Sequence, residues 1–304
     1  MFSFLSPSAP EWAKFLSGKE YKEFMTRLDE YFKGKGLNYV HNNGRLEVPN
    51  NPFGMEQLGL VNLAQRCKLT GNGDWSEIIR DHFEGMIKAN EFNKEFDKTK
   101  KDFSQVKEFV GVKLYNESYF DAVGMENVIC RPFANAIIEV LIFDLPHTIS
   151  NIKPGEANAW NVSNSDLFKI GFENMRKQYP ANISKEAFES FSIWFCQADH
   201  FFVTNLALDH DEMKKYCGSK GALVGMPHRH ALLIYPIESL EVVKAINTLI
   251  PVIAGMNNEG PGSISEKLFW YNEERYIEIP YELNEKQLSI KPPNEFVEMM
   301  NLLK

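Results

Sequence analysis

Hydrophobic positions along this chain are most orderly between Gly221 and Ile279, and the elements predicted there frame the rest. Two short apolar runs, 222–226 and 231–235, are bounded by Gly221 and Pro236 and separated by Pro227, His228, Arg229 and His230. Nearly unbroken apolar runs with turn residues at both ends suit strands buried on both faces, and the short separation predicts an antiparallel hairpin. Past Pro236, Ser239 is placed to cap a helix in which Leu240, Val243, Ile246, Leu249, Ile250 and Ile253 recur at helical spacing, with Glu241, Lys244 and Asn247 turned away. This helix should lie across the hairpin and end at Gly255. Residues 257–262 then read as loop, and 268–271 with 275–279 as a second hairpin around Asn272, Glu273 and Glu274.

Upstream, Tyr21, Phe24, Met25, Leu28, Tyr31 and Phe32 mark an amphipathic helix over 19–32, closed by Gly34 and Gly36. Asn43-Gly44, between the short runs 37–40 and 45–48, signals a tight hairpin. Residues 58–67 fit a helix or a strand equally. After a turn at 70–73, Asp74 or Ser76 can cap a helix carrying Ile78, Ile79, Phe83, Met86 and Ile87, with His82 read as a packed or surface histidine. The charged stretch 89–106 reads as a surface helix or connector. Residues 110–114 read as a strand, and 128–133 lead into 136–144, long and β-rich enough for a central strand. Glu139 inside that strand is expected on its exposed face; the alternative is a buried pair with Arg131. Residues 151–163, with Pro154, Gly155 and several asparagines, read as a linker. A helix over 166–177, a short element capped by Ser184 and a strand over 191–196 follow. Residues 201–208 fit either a partner for that strand or the start of a helix.

These elements predict an α+β fold, helices packed on mainly antiparallel sheets, in two closely packed subdomains, 1–150 and 151–304. No repeat of fixed period appears. A chain of 304 residues with 44% apolar and 13% aromatic residues can build a substantial core, which sets wholesale disorder aside.

Charge and cysteine usage narrow the function classes. Forty-one acids against thirty-three bases give a net charge of −8, poorly suited to neutralising phosphates, so nucleic acid is not expected as a partner. The basic stretch 94–107 is interleaved with Glu95, Asp97 and Asp102 and reads as a solvated face. Cys67, Cys130, Cys196 and Cys217 are scattered without a CxxC pair, which fits a reducing cytoplasm. Residues 1–7 lack the basic head and apolar run of a secretion signal, and no window approaches a membrane span. No motif calls for a cofactor.

Histidines and acids give the sharpest chemical pattern: Asp199-His200, Asp209-His210-Asp211 and His228-Arg229-His230. Residues two apart on a strand share a face, so His228 and His230 could present two imidazoles to one metal ion, with His200 and Asp209 completing a tetrahedron around an activated water. Against this, the His228/His230 pair falls at a predicted turn, where alternation fails. A Cys217 nucleophile working with His210 or His228 would need a lowered thiol pKa, for which Lys214, Lys215 and Lys220 are the nearby cations. Residues 218–221 lack the framing of a phosphate loop and read as a turn. Arg229, at the hairpin tip with His228 and His230, is the candidate to bind a carboxylate or a partner backbone, or equally to hold two loops together.

The succession of Ala222, Leu223, Val224, Met226, Pro227, Arg229, Leu232 and Leu233, then the helix, Ser265, Leu268, Phe269, Arg275 and Tyr276 resembles the C-terminal region of the bacterial YtpQ-like domain-of-unknown-function family. Weaker similarity reaches the 166–176 helix and the amino-terminal third. The family has no assigned chemistry, so the resemblance implies a fold and not an activity. Its members carry an acid directly after the motif arginine, where this chain has His230. The expectation is a non-catalytic protein-interaction or ligand-binding protein of the cytoplasm, its partner a protein or small molecule, with a metal-dependent hydrolase built on His200, Asp209, His228 and His230 as the alternative.

Overall fold

The computed structural model describes residues 8–70, 74–188, 191–284 and 287–303; the readings of residues 1–7 and of the turn at 71–73 lie outside them. Ser17 starts the first helix, its hydroxyl accepting the Glu20 amide at 3.3 Å while the Glu20 carboxylate accepts the Ser17 amide at 2.6 Å. This helix, α1 (Gly18–Gly34), buries Phe24, Leu28 and Phe32 along one side. Next, β1 (Val40–Asn42) and β2 (Arg45–Glu47) turn at Asn43 and Gly44, whose φ of 44° and 77° are what a two-residue hairpin requires. The undecided stretch near residue 60 holds both structures, β3 (Gln57–Gly59) and α2 (Val61–Leu69). Asp74 caps α3 (Trp75–Thr99), which absorbs most of the charged stretch as well. Phe32 meets Phe83 edge-on at 4.9 Å within the core of this unit.

The described residues up to Lys100, with excursions at Leu145–Ile149 and Glu259–Pro261, make up one compact unit; Lys101–Asp144, Ser150–Asn258 and Gly262–Lys304 make up another. The division therefore falls near Lys100, not at 150/151.

Beyond Lys100, α4 (Phe103–Val106), β4 (Val110–Asn116), α5 (Tyr119–Val123), β5 (Cys130–Ala134), β6 (Ile137–Leu145) and β7 (Thr148–Asn151) come first along the chain. As expected, β6 is central, between antiparallel β4 and β5. Glu139 is not on an exposed face: it is 2% exposed, opposite Arg131 in the register, and accepts a hydrogen bond from Arg131 Nε. Both faces of β6 are covered, and the charge is tolerated because Arg131, stacked 4.4 Å over the Phe168 ring, partners it. The stretch read as a linker is also tied down. Its Pro154 and Gly155 open α6 (Pro154–Asn158), and Ile152, Ala157 and Trp160 are buried around it. Then α7 (Asn164–Gln178), capped by Ser163, lies close on β4, where Gly171 meets the Gly111 backbone and Asn174 Nδ2 donates to the Val110 carbonyl at 2.8 Å.

Ser184 caps nothing; it lies in β8 (Ile183–Phe188), the edge strand beside β9 (Phe191–Gln197). A 3-10 segment, Val203–Leu208, and α8 (His210–Met213) lead to the predicted hairpin, β10 (Ala222–His228) and β11 (Ala231–Pro236). After α9 (Val242–Glu259) come β12 (Leu268–Asn272) and β13 (Arg275–Glu278), then β14 (Tyr281–Asn284), β15 (Gln287–Ile290) and α10 (Asn294–Asn301). A six-stranded antiparallel sheet runs β13-β12-β10-β11-β9-β8. Leu223, Leu233 and Trp270 face α9, while Ala222, Val224, Leu232 and Phe269 pack with Leu114, Val203 and Ala207 on the other side. Two covered faces account for the unbroken apolar runs.

Two expectations for α9 need correction. Its buried stripe is Val242, Ala245, Ile246, Leu249, Ile250 and Ile253, whereas Leu240 and Val243 are exposed. It also passes Gly255 and ends at Glu259, its last turn anchored by Asn257 Nδ2 donating to the Pro227 carbonyl at 2.7 Å. Gly225 admits this helix, since a Cβ there would lie 2.4 Å from Ile253 Cδ1. At Gly221, φ is +83° and a Cβ would stand 2.2 Å from the Tyr271 carbonyl oxygen. Gly221→Ala is therefore expected to lower stability by more than about 1 kcal/mol, read as a lower urea midpoint at unchanged slope.

Candidate functional site

The helical spacing of α7 sets Phe172, Met175, Arg176 and Tyr179 on one flank of a cavity of about 250 Å³. Cys196 at the end of β9, His200 and Phe202 from the following loop, and Val203, Asn205 and Leu206 from the 3-10 segment close it. Aromatic rings make one wall: Tyr179 lies 4.8 Å from His200 and 4.6 Å from Phe202, centroid to centroid. At the rim Arg176 Nε pairs with Asp209 Oδ2 at 3.0 Å, and Asp209 Oδ1 accepts the Glu212 amide as the cap of α8.

Inside, the polar groups are few and mostly engaged. Tyr179 donates to Asp144 Oδ2 at 2.7 Å, and burial followed by that carboxylate pushes the phenol pKa upward. His200 Nδ1 accepts the Phe202 amide at 3.2 Å, and burial lowers the pKa of the ring despite Asp199. Burial raises the Cys196 thiol to about 11. Asn205 is the exception. It is 8% exposed, its Nδ2 donates to the Val112 carbonyl at 2.7 Å, and its Oδ1 has no donor. Such an acceptor is where a ligand's N–H or O–H gains most, because the group is already desolvated.

Of the four proposed metal ligands, the cavity takes His200 and Asp209, while His228 and His230 sit at the β10–β11 turn. The tetrahedral set does not assemble, and among the described residues no three metal-ligating side chains gather. The lone pairs are otherwise engaged. His230 Nδ1, 3.0 Å from the Ala198 carbonyl, must carry the proton, leaving Nε2 to accept from Arg229 Nε at 3.1 Å. His228 Nδ1 accepts the His230 amide, and burial first, then the neighbouring His230 and Arg229, hold that ring down at about 4. Asp209 is committed at both oxygens.

Arg229 is a clamp at the turn. Its guanidinium carbon lies 4.1 Å from the Phe201 ring centroid, and its amide donates to the Gly262 carbonyl at 3.1 Å. Cys217 is not an activated nucleophile: its Sγ faces the Met213 carbonyl at 3.3 Å and burial raises the thiol to about 11. His210 meets the Tyr271 hydroxyl at 3.1 Å instead. Sequence reasoning missed Asn205 and Tyr179. The helical phase of α7 could have pointed to Tyr179; nothing local marks Asn205, whose spare oxygen depends on a strand 93 positions away.

Compared with known proteins, the chain matches no family model, no curated protein and no solved structure. No helix among the described residues is long and apolar enough to cross a membrane.

Proposed function

We propose that this chain is a non-catalytic ligand-binding protein, and that its ligand is a small, mainly apolar ring compound bearing one N–H or O–H donor. The observation that carries the reading is the cavity walled by Phe172, Tyr179, Phe202 and Leu206, with Asn205, whose buried Oδ1 has no partner, among its lining residues. A volume of about 250 Å³ suits one ring system. The states of Cys196 and His200 support binding rather than catalysis, since neither a thiolate nor a free imidazole base faces the cavity at neutral pH. The resemblance to the YtpQ-like family, itself without assigned chemistry, is compatible with this role. Cytoplasmic residence belongs to the same proposal, supported by the four free cysteines.

Indole, which has an N–H, and indene, which lacks it, test the reading by titration with observation of cavity resonances in NMR. Indole is expected to bind more tightly than indene, and Asn205→Leu to reduce that preference by about tenfold. Absence of any saturable response to either compound would overturn the proposal.

A further inference from the structure

The stripe of α7 that reaches the small cavity through Phe172 continues back toward the helix start, where Ser165, Phe168 and Lys169 line a second cleft of about 680 Å³. Its other walls include Arg131 and Phe133 from β5 and Arg275 and Tyr276 from β13. The Phe133 and Tyr276 rings meet at 4.9 Å, so both strands contribute aromatic surface. Arg131 is fixed in this wall. Its Nε donates to the buried Glu139 carboxylate, and its guanidinium carbon lies 4.4 Å from the Phe168 ring centroid. The ion pair and the stacking contact together hold the plane of the guanidinium, yet they use a single N–H. Among the described residues the two terminal nitrogens make no hydrogen bond, and the side chain is 51% exposed. A planar fork of N–H groups is thus held ready, and that fork matches the two oxygens of a carboxylate.

The charges around the cleft agree with an anionic ligand. Of the acids that line it, Glu139 is matched by Arg131, and Glu274 by Lys214 at 2.6 Å. Arg275 is matched by Glu295 at 3.3 Å. Lys169 is exposed and has no ion pair among the described residues, which leaves one lysine charge uncompensated in a chain whose net charge is −8. We propose that this cleft binds a small aromatic carboxylate, with its oxygens on the terminal nitrogens of Arg131, its charge matched by Lys169 and its ring against Phe133 and Tyr276. The site is separate from the small cavity, because it does not use Asn205 and it selects an anion where that cavity selects a neutral donor.

Titration with 2-naphthoate and 2-naphthamide, followed by NMR at low salt, tests the proposal, since the two share a ring system and differ in charge. Naphthoate is expected to bind at least about tenfold more tightly than naphthamide, and Arg131→Lys, which keeps the charge and loses the fork, to abolish most of that preference. Lys169→Gln, at an exposed helix position outside the core, is expected to reduce the preference about threefold. The resonances that move should be those of Phe133, Phe168 and Tyr276, and Asn205→Leu should leave the preference unchanged. Equal or no saturable binding of the two compounds, a preference unaltered in Lys169→Gln, or shifts confined to Phe202 and Asn205 overturns the proposal.

Discussion

At neutral pH, Arg131→Ala is expected to lower the unfolding free energy by about 3 kcal/mol, the lower end of what breaking a buried ion pair costs. The lower end applies because the Arg131 side chain is 51% exposed while that of Glu139 is 3% exposed, so solvent screens one partner only. Glu139 carries the loss. Its second oxygen already lacks a partner, and without Arg131 the carboxylate would face the covered interior of β6 unpaired. The dependence on pH follows from the sign of its shift. Burial raises the Glu139 pKa in the folded chain, and Arg131 only partly offsets this. A raised folded pKa means that stability is fully present in acid and is lost as pH rises through the folded value. Removing Arg131 raises that value further, so the deficit should be small in acid and grow toward neutral pH. Urea unfolding of both proteins across that range reads it. A deficit of the same size at every pH would show that lost packing on Phe168, not the carboxylate, is responsible.

How far these features were legible in the sequence depends on the range of the interactions that fix them. The β10–β11 and β12–β13 hairpins and α1 follow from neighbouring residues, through apolar runs, turn chemistry and a capping box, and all three stand where expected. The end of α9 was misplaced because Gly255 looks like a stop locally, whereas the Asn257 bond to Pro227 fixes the last turn from a residue 30 positions away. Glu139 was misplaced for a related reason. Alternation along one strand cannot reveal that both faces of a central strand are covered, and an acid between apolar neighbours then reads as a solvent-facing position. At the site, the histidines and acids are individually visible, but their lone pairs are claimed by backbone groups that only the folded loops supply. Lys113 fell within a predicted strand with nothing to mark it, since its burial, 4% exposed with no ion pair among the described residues, is a property of the three-dimensional surroundings.

Lys113→Met is expected to stabilise the protein by about 1 to 3 kcal/mol at neutral pH, the cost of burying a polar group without a hydrogen bond. Methionine reproduces the length of the lysine stem and can keep contact with the Tyr115 ring through its sulfur. The sign of the pH dependence is again fixed by linkage. Burial first, and Arg229 second, depress the Lys113 pKa in the folded state, while the unfolded chain retains the ordinary lysine value of 10.5. Between those limits the unfolded state holds a proton that the folded state lacks, so wild-type stability rises with pH up to the ordinary lysine range and falls as pH drops toward the folded value. Methionine removes that slope, so the gain should be largest on the acid side of the window and shrink as the solution approaches the lysine range. Denaturant midpoints of the two proteins at a series of pH values decide it. A variant less stable than wild type at neutral pH would mean that the lysine's contact with the Tyr115 ring outweighs the cost of burying its amine.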